Sequence, residues 1–321
     1  MQRVAGPLIA MGARVDFEGA ENHSGLPVRV IGAPLQAVEW NNEHSSAQVK
    51  SAILLAALMS GSEAEVTESH PSRDHTERML SARGVNITMN EHSIGIRGKQ
   101  SLVPLDVDVP GDPSSATFFV ALASLASSGE LRLVDVCLNP SRIGALVALR
   151  RMGARVQVED ERTVGGEAVG TIVVTPANLV GTEIGGGEIP TLIDELPMIA
   201  CVAARAEGET RVTGASELRV KESDRITAVV DNLRAIGGDA DELPDGFVVR
   251  GHQRALSGRV VTHGDHRLAM AFGILGALPG NNIAIDDRDC VDVSFPAFWK
   301  ELHCAISSDS DAARRNPLAP R

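Results

Sequence analysis

Two short stretches gather cations beside carboxylates: Arg219-Val220-Lys221-Glu222-Ser223-Asp224-Arg225 and Gly264-Asp265-His266-Arg267. Lys221 and Arg225 stand four residues apart, which on a helix places them on one face, where like charges repel by a few tenths of a kcal/mol. Asp224 relieves part of that repulsion, and an anionic ligand held between the two cations would relieve it further. A solvated helix face of mixed charge accounts for this segment equally well when it is taken alone.

Other polar clusters stand where helices are expected to begin: His44-Ser45-Ser46-Ala47-Gln48, Gly111-Asp112-Pro113-Ser114-Ser115 and Ile193-Asp194-Glu195-Leu196-Pro197. A helix N-terminus exposes unpaired N–H groups and partial positive charge, and so receives phosphate or carboxylate. Ser and Asp are also ordinary N-caps, and for Asp112, Ser114 and Ser115 capping is the simpler reading. Ser45, Ser46 and Gln48 stay open, because Gln48 brings a donor and an acceptor that capping does not need. At Asp194-Glu195, partial desolvation would raise a carboxylate pKa toward that of a general base. An acidic residue favoured by the helix N-terminus fits as well.

The elements that must position these groups repeat along the chain. An Ala/Leu-rich helix followed by a short strand recurs at Ser46–Gly61 with Ala64–Val66, Ser114–Gly129 with Leu131–Val134, Thr191–Gly208 with Thr210–Val212, and Asp265–Gly280 with Ile283–Ile285. A second, amphipathic helix closes in Gly12, Gly84, Gly153 or Gly237 and runs into a strand. Glycine is the residue that accepts positive φ just past a helix end. Alternated, the two give βαβαββ units of about 70 to 80 residues. Three are expected near 27–97, 105–175 and 181–250. The second half of a unit opens the chain at 1–31, and the first half of another closes it with a helix at Phe295–His303.

The 321 residues carry a net charge of -12, which disfavours nucleic acid and anionic membranes as partners. Aromatic residues make up 3% with no Tyr, too few for a base-stacking platform. An anionic ligand must therefore be drawn by a local cation cluster. Cys137, Cys201, Cys290 and Cys304 form no CxxC pair, pointing to a reducing, cytoplasmic compartment. No signal peptide, membrane-length apolar run or HExxH-type ligand spacing stands out, so no metal site and no membrane association are expected.

The motifs together resemble those of the 5-enolpyruvylshikimate-3-phosphate (EPSP) synthases, enolpyruvyl transferases of the shikimate pathway. They are Ser45-Ser46-Ala47-Gln48-Val49-Lys50-Ser51-Ala52, Ser72-Arg73-Asp74-His75-Thr76-Glu77, Gly111-Asp112-Pro113-Ser114-Ser115, Leu192-Ile193-Asp194-Glu195, Leu218 to Arg225, and Asp265-His266-Arg267-Leu268-Ala269-Met270. The resemblance implies an α/β fold of two inside-out, barrel-like lobes built from βαβαββ units, with the substrates in the cleft between the lobes. It implies enolpyruvyl transfer from phosphoenolpyruvate to shikimate 3-phosphate, on the way to chorismate and the aromatic amino acids, with no cofactor and no metal. The partners would be these small anions only, and the full-length family form a monomer.

Carried over by position, Ser45, Ser46, Gln48, Ser72, Arg73, Asp194 and Lys221 would contact shikimate 3-phosphate. Gln48, Arg225, His266 and Arg267 would meet phosphoenolpyruvate. Asp194 would take the proton of the attacking 5-hydroxyl, and Glu222 would carry a proton to the methylene carbon.

The resemblance covers roughly the last three quarters of the family's length, so the expected division is an incomplete first lobe at 1–100, a second lobe at 101–305 and a disordered tail at 306–321. The Lys and Arg on a Ser-rich helix start, the Gly-rich phosphoenolpyruvate loop and an Arg just before Met1 have no counterpart here. Val293 stands where some members carry a Lys. Little or no activity is therefore expected of these residues alone, as for a non-catalytic fragment that needs the missing segment. UDP-N-acetylglucosamine enolpyruvyl transferases share fold and reaction type, but they carry a reactive Cys on a catalytic loop and lack the RVKESDR string.

Overall fold

The computed structural model describes residues 1–19 and 25–307. The chain divides into two compact units, Met1–Asp108 with Thr163–Glu167, and Val109–Arg162 with Ala168–Arg321. Ile306 is still helical; the rest of the tail expected from 306 lies, beyond Ser307, outside the described residues.

In the first unit the chain runs α1 (Gln2–Ala10), β1 (Arg14–Phe17), β2 (Val28–Ile31), β3 (Val38–Asn41), α2 (Ala47–Ser60), β4 (Ala64–Thr67), α3 (His75–Ala82), β5 (Ile87–Met89) and β6 (Ser93–Ile96). β3 to β6 form one βαβαββ unit whose strands lie in the order β3-β4-β6-β5, with β3 parallel to β4 and the other pairs antiparallel. This unit begins at Val38 rather than near residue 27, because Val28–Ile31 pair instead with β1 in a hairpin, Arg14 opposite Ile31. Strand β4 alternates buried and exposed, putting Ala64 and Val66 under α2 and α3. They join Val49, Ile53, Leu54, Ala57, Leu80, Val85 and Ile96 in an aliphatic core, with the half-buried Trp40 packed against it.

The second unit continues with α4 (Pro113–Leu125), β7 (Leu131–Cys137), α5 (Gly144–Arg151), β8 (Arg155–Val164) and β9 (Glu167–Thr175). Next come β10 (Glu183–Ile184), α6 (Ile189–Leu192), α7 (Leu196–Ala203), β11 (Gly208–Val212), α8 (Arg225–Ala235), β12 (Asp239–Leu243) and β13 (Gly246–Gly251). β14 (Ser257–Val260), α9 (His266–Ala277), β15 (Asn282–Ile285) and α10 (Phe298–Ile306) complete it. The strand order β10-β11-β13-β12 repeats that of the first unit, and β14 runs parallel to β15 as the opening half of another copy.

The copy expected from 105 lacks its first strand. Leu105-Asp106-Val107-Asp108-Val109 alternates, but all five residues are exposed and Pro104 and Pro110 flank them, so neither face has anything to bury. What remains is a single parallel bridge from Gly111 to Val136 beside β7-β9-β8. Glycines 12, 84, 153 and 237 all take positive φ where the second helices end.

Two helices differ from expectation at prolines. The helix expected from Thr191 is broken: α6 stops at Leu192, Ile193–Glu195 form a tight 3-10 turn, and α7 starts afresh with Pro197 in its first turn. Pro is favoured at such a start and disfavours the helical conformation in the residue before it. The last helix begins at Phe298, past Pro296, and not at Phe295. There Phe118, Phe119, Phe295, Phe298 and Trp299 meet edge to face at 4.9 to 6.0 Å, fastening α10 to the core, with the Arg288 guanidinium 3.8 Å from the Trp299 ring centre. No helix among the described residues is long and apolar enough to cross a membrane.

Candidate active site

In the second unit three helix starts converge. The 3-10 turn before α7 brings Asp194 and Glu195, the segment before α8 brings Lys221, Glu222 and Arg225, and the start of α9 brings Asp265, His266 and Arg267. One oxygen of Asp194, Oδ1, lies 3.4 Å from Lys221 Nζ and 3.5 Å from an Arg225 terminal nitrogen. Arg225 is 1% exposed, and its Nε and Nη2 donate to the two oxygens of Asp265 at 2.7 and 3.2 Å. Nη2 also donates to Glu222 at 2.6 Å. Arg267 donates to the Asp194 carbonyl at 3.2 Å and to Glu195 at 3.4 Å. Asp194, Lys221, Glu222, Arg225 and Arg267 thus form one connected network, with His266 beside it on α9.

The shared helix face expected for Lys221 and Arg225 is absent. Helix α8 starts at Arg225, because Asp224 caps it by accepting from the Thr227 N–H at 3.2 Å, and Lys221 lies in the turn before. Asp224 pairs with Arg219 at 2.9 Å, so the anion between Lys221 and Arg225 is Asp194 instead.

Burial sets the protonation of this cluster. Glu195 is 2% exposed; desolvation pushes its carboxyl up, against the Arg267 charge and a Ser114 hydrogen bond. Burial also pushes Asp265 up, but the Arg225 hydrogen bonds and charge, the Arg267 N–H and Ser223 outweigh it and hold the carboxyl low. His266 is lowered by burial first and by Arg267 second, so its ring is neutral at pH 7.

A pH dependence follows for the fold. A histidine with a lowered folded pKa adds stability that is complete above its unfolded value of about 6.5 and fades as pH falls through the folded value. Asp265 acts in the same direction at lower pH, and Glu195, shifted upward, acts in the opposite one. Melting temperature is expected to drop between pH 7 and pH 5, and His266→Gln to flatten that slope. An equal slope in the variant would remove His266 as its source.

The remaining expected residues lie in the first unit. Ser46 occupies the N-cap position of α2, yet its side chain caps no N–H there, whereas Asp112, Asp224 and Asp265 cap theirs. Gln48 is exposed in the first turn, and Ser45 takes φ 44° with its Oγ accepting from the His70 N–H at 3.3 Å. A cavity of about 340 Å³ opens at this helix start, with Arg3, Asn41, His44 and Ser46 in its wall. A wider groove of about 460 Å³, on the sheet around Glu39, Glu65 and Arg97, holds none of the expected residues. Ser72 turns inward: its hydroxyl donates to Glu68, and Arg73 follows it, half-buried.

The model of the EPSP synthase (3-phosphoshikimate 1-carboxyvinyltransferase) family matches residues 1–302. The chain belongs to that family. A 3-phosphoshikimate 1-carboxyvinyltransferase from Sulfurihydrogenibium is 44% identical over 306 residues, covering 94% of this chain and 70% of that protein. One from Persephonella marina is 45% identical over 312 residues, covering 96% and 72%. Among solved structures, an EPSP synthase from Acinetobacter baumannii superposes with TM-score 0.84 at 39% identity, over 94% of this chain and 69% of that one. The enolpyruvyl transferase NikO from Streptomyces tendae, at 15% identity and TM-score 0.72, shares the fold. The βαβαββ repeat is therefore the α/β architecture of the enolpyruvyl transferases.

Two residues around the network, Asp265 and Glu195, were seen in the sequence without a part of their own. Asp265 stands at an ordinary N-cap position and does cap α9, accepting from the Arg267 N–H at 2.9 Å. It also pairs with Arg225 forty positions away, which no local spacing reveals. Glu195 was one of two adjacent acids, and only burial tells them apart: 2% of Glu195 is exposed, beside Arg267 and Ser114.

Proposed function

We propose that this chain transfers the enolpyruvyl group of phosphoenolpyruvate to the 5-hydroxyl of shikimate 3-phosphate, releasing phosphate and 5-enolpyruvylshikimate 3-phosphate. The observation that carries the reading is the connected network of Asp194, Lys221, Glu222, Arg225 and Arg267 in the second unit. Three cations in such a network suit two polyanionic substrates, and guanidinium forks match phosphate and carboxylate oxygens.

In this reading Asp194 accepts the 5-hydroxyl proton as that oxygen attacks C2 of phosphoenolpyruvate. Glu222, half-exposed beside Arg225, delivers a proton to the methylene carbon. Arg225 and Arg267 hold the phosphate and carboxylate, with His266 alongside. The tetrahedral adduct then loses phosphate, which carries off the proton taken up by Asp194, and returns a methyl proton to Glu222, restoring the double bond. Lys221, Ser45, Ser46, Gln48, Ser72 and Arg73 hold shikimate 3-phosphate. Four free cysteines fit a cytoplasmic setting.

A reactive-cysteine route of the UDP-N-acetylglucosamine kind has little support. Burial pushes the Cys290 thiol up to about 11 and Cys201 higher still, the reverse of an activated thiolate.

Phosphate release coupled to a colour assay tests the proposal: phosphate should appear only with both substrates present. Release with UDP-N-acetylglucosamine in place of shikimate 3-phosphate would overturn it, and none with either would overturn it in favour of the non-catalytic reading of this chain. Lys221→Met is expected to raise the KM for shikimate 3-phosphate about 10- to 100-fold, the worth of one hydrogen bond to a charged group. An unchanged KM would remove Lys221 from that role.

A further inference from the structure

One buried carboxylate in the first unit takes no part in the mechanism above. Glu68, directly after β4, is 3% exposed and accepts from every side. Asn42 Nδ2 donates to Oε1 at 2.7 Å and Lys50 Nζ to Oε2 at 3.3 Å. The Ser72 N–H donates to Oε2 at 3.0 Å, and the Ser72 hydroxyl reaches Oε1 at 2.8 Å and Oε2 at 2.9 Å. Lys50, itself 1% exposed, also pairs with the buried Glu77 of α3 at 2.6 Å. In this arrangement each of these groups donates to Glu68.

These contacts tie together four segments. Asn42 Nδ2 also donates to the Ser46 carbonyl at 3.0 Å, so Glu68 grips the residue that begins α2. Ser72 immediately precedes Arg73. Lys50 belongs to α2 and Glu77 to α3. Both segments to which the proposed function assigns shikimate 3-phosphate, around Ser46 and around Ser72-Arg73, therefore hang from one carboxylate. With its hydroxyl turned inward to donate to Glu68, Ser72 also orients the backbone that carries Arg73.

We infer that Glu68 is a positioning residue for shikimate 3-phosphate: bound at once by Asn42, Lys50 and Ser72, it fixes Ser46 and Arg73 relative to one another. The inference rests on the proposed function above. A carboxylate suits the position best. A glutamine keeps the volume, but its NH2 faces the Asn42 amide N–H in one orientation and the Lys50 ammonium and Ser72 N–H in the other, and only the Ser72 hydroxyl could turn to accept from it.

The test uses the full chain, with shikimate 3-phosphate affinity from titration calorimetry and kcat and both KM values from phosphate release. Glu68→Gln is expected to weaken shikimate 3-phosphate about tenfold or more, leaving kcat at saturation and the KM for phosphoenolpyruvate within about twofold. Hydrogen exchange should rise at the Ser72 N–H and stay level in the centre of α2. Equal weakening of both substrates, or none, overturns the inference. Where Glu68→Gln does not fold, Asn42→Ala carries the same comparison, since it removes the amide that joins Glu68 to the Ser46 carbonyl and is assigned no substrate contact, and the same affinity and KM outcomes decide. Arg73→Ala separates the two levels. If it weakens shikimate 3-phosphate while Glu68→Gln does not, the positioning role falls and the proposed site stands. If Arg73→Ala has no effect, or the unsubstituted chain binds no shikimate 3-phosphate, both fall.

Discussion

Arg225→Lys is expected to lower kcat/KM for phosphate release by about 10²–10³ while the chain stays folded, and Arg225→Ala to lose both activity and stability. The guanidinium spreads its N–H groups over Asp265, Glu222 and Asp194 and is 1% exposed. A lysine keeps the charge that compensates the fully buried Asp265, so the fold survives, but it cannot reproduce the planar fork. Preorganised donors aimed at developing charge are typically worth two to three orders of magnitude. Alanine removes the cation and leaves Asp265 uncompensated, a break that costs about 3–5 kcal/mol in buried pairs. Turnover of Arg225→Lys within about fivefold of the parent would show that charge alone suffices. Melting of Arg225→Ala at the parent temperature would show that Asp265 does not depend on it.

Lys50→Met should be the most damaging single change in the first unit. Its ammonium, 2.6 Å from Glu77 and 3.3 Å from Glu68, is the one cation paired with these two buried carboxylates among the described residues. Removing it strands both, again at about 3–5 kcal/mol, against a total stability of about 5–15 kcal/mol for ordinary domains. The small aliphatic core of that unit has little in reserve. Urea unfolding followed by hydrogen exchange should show the first unit opening well before the second. The double variant Lys50→Met/Glu77→Gln should recover much of the loss, because Glu68 keeps its neutral donors while Glu77 no longer carries a charge. A single variant as resistant to urea as the parent would refute this account, and so would a double variant no better than the single.

The helices and their order were legible because apolar spacing and terminal glycines are local signals: α2, α4, α5, α8 and α9 fall where the repeat places them. Strand existence was less legible. Alternation at 105–109 predicts a strand, but a strand also needs a face to bury and an edge to pair, and those are supplied, or withheld, from elsewhere in the chain. The charged residues of the second unit stood out as clusters at helix starts, and the resemblance to the EPSP synthases grouped Asp194, Lys221, Arg225 and Arg267 before any geometry. Their pairing was not. Asp224 beside Arg225 looked like its partner, whereas Asp265 holds that role across 40 positions. The Glu68 hub was least legible of all, since its donors come from residues 42, 50 and 72 and no local spacing links them to one another or to Glu68.

The scarcity of aromatic side chains gives this protein an optical simplicity. It has no Tyr and two Trp, and the indoles fall one to each unit, Trp40 on β3 and Trp299 on α10 beneath Arg288. Replacing either by Phe leaves a single emitter, so the loosening of one half can be watched by its own fluorescence while the other stays dark.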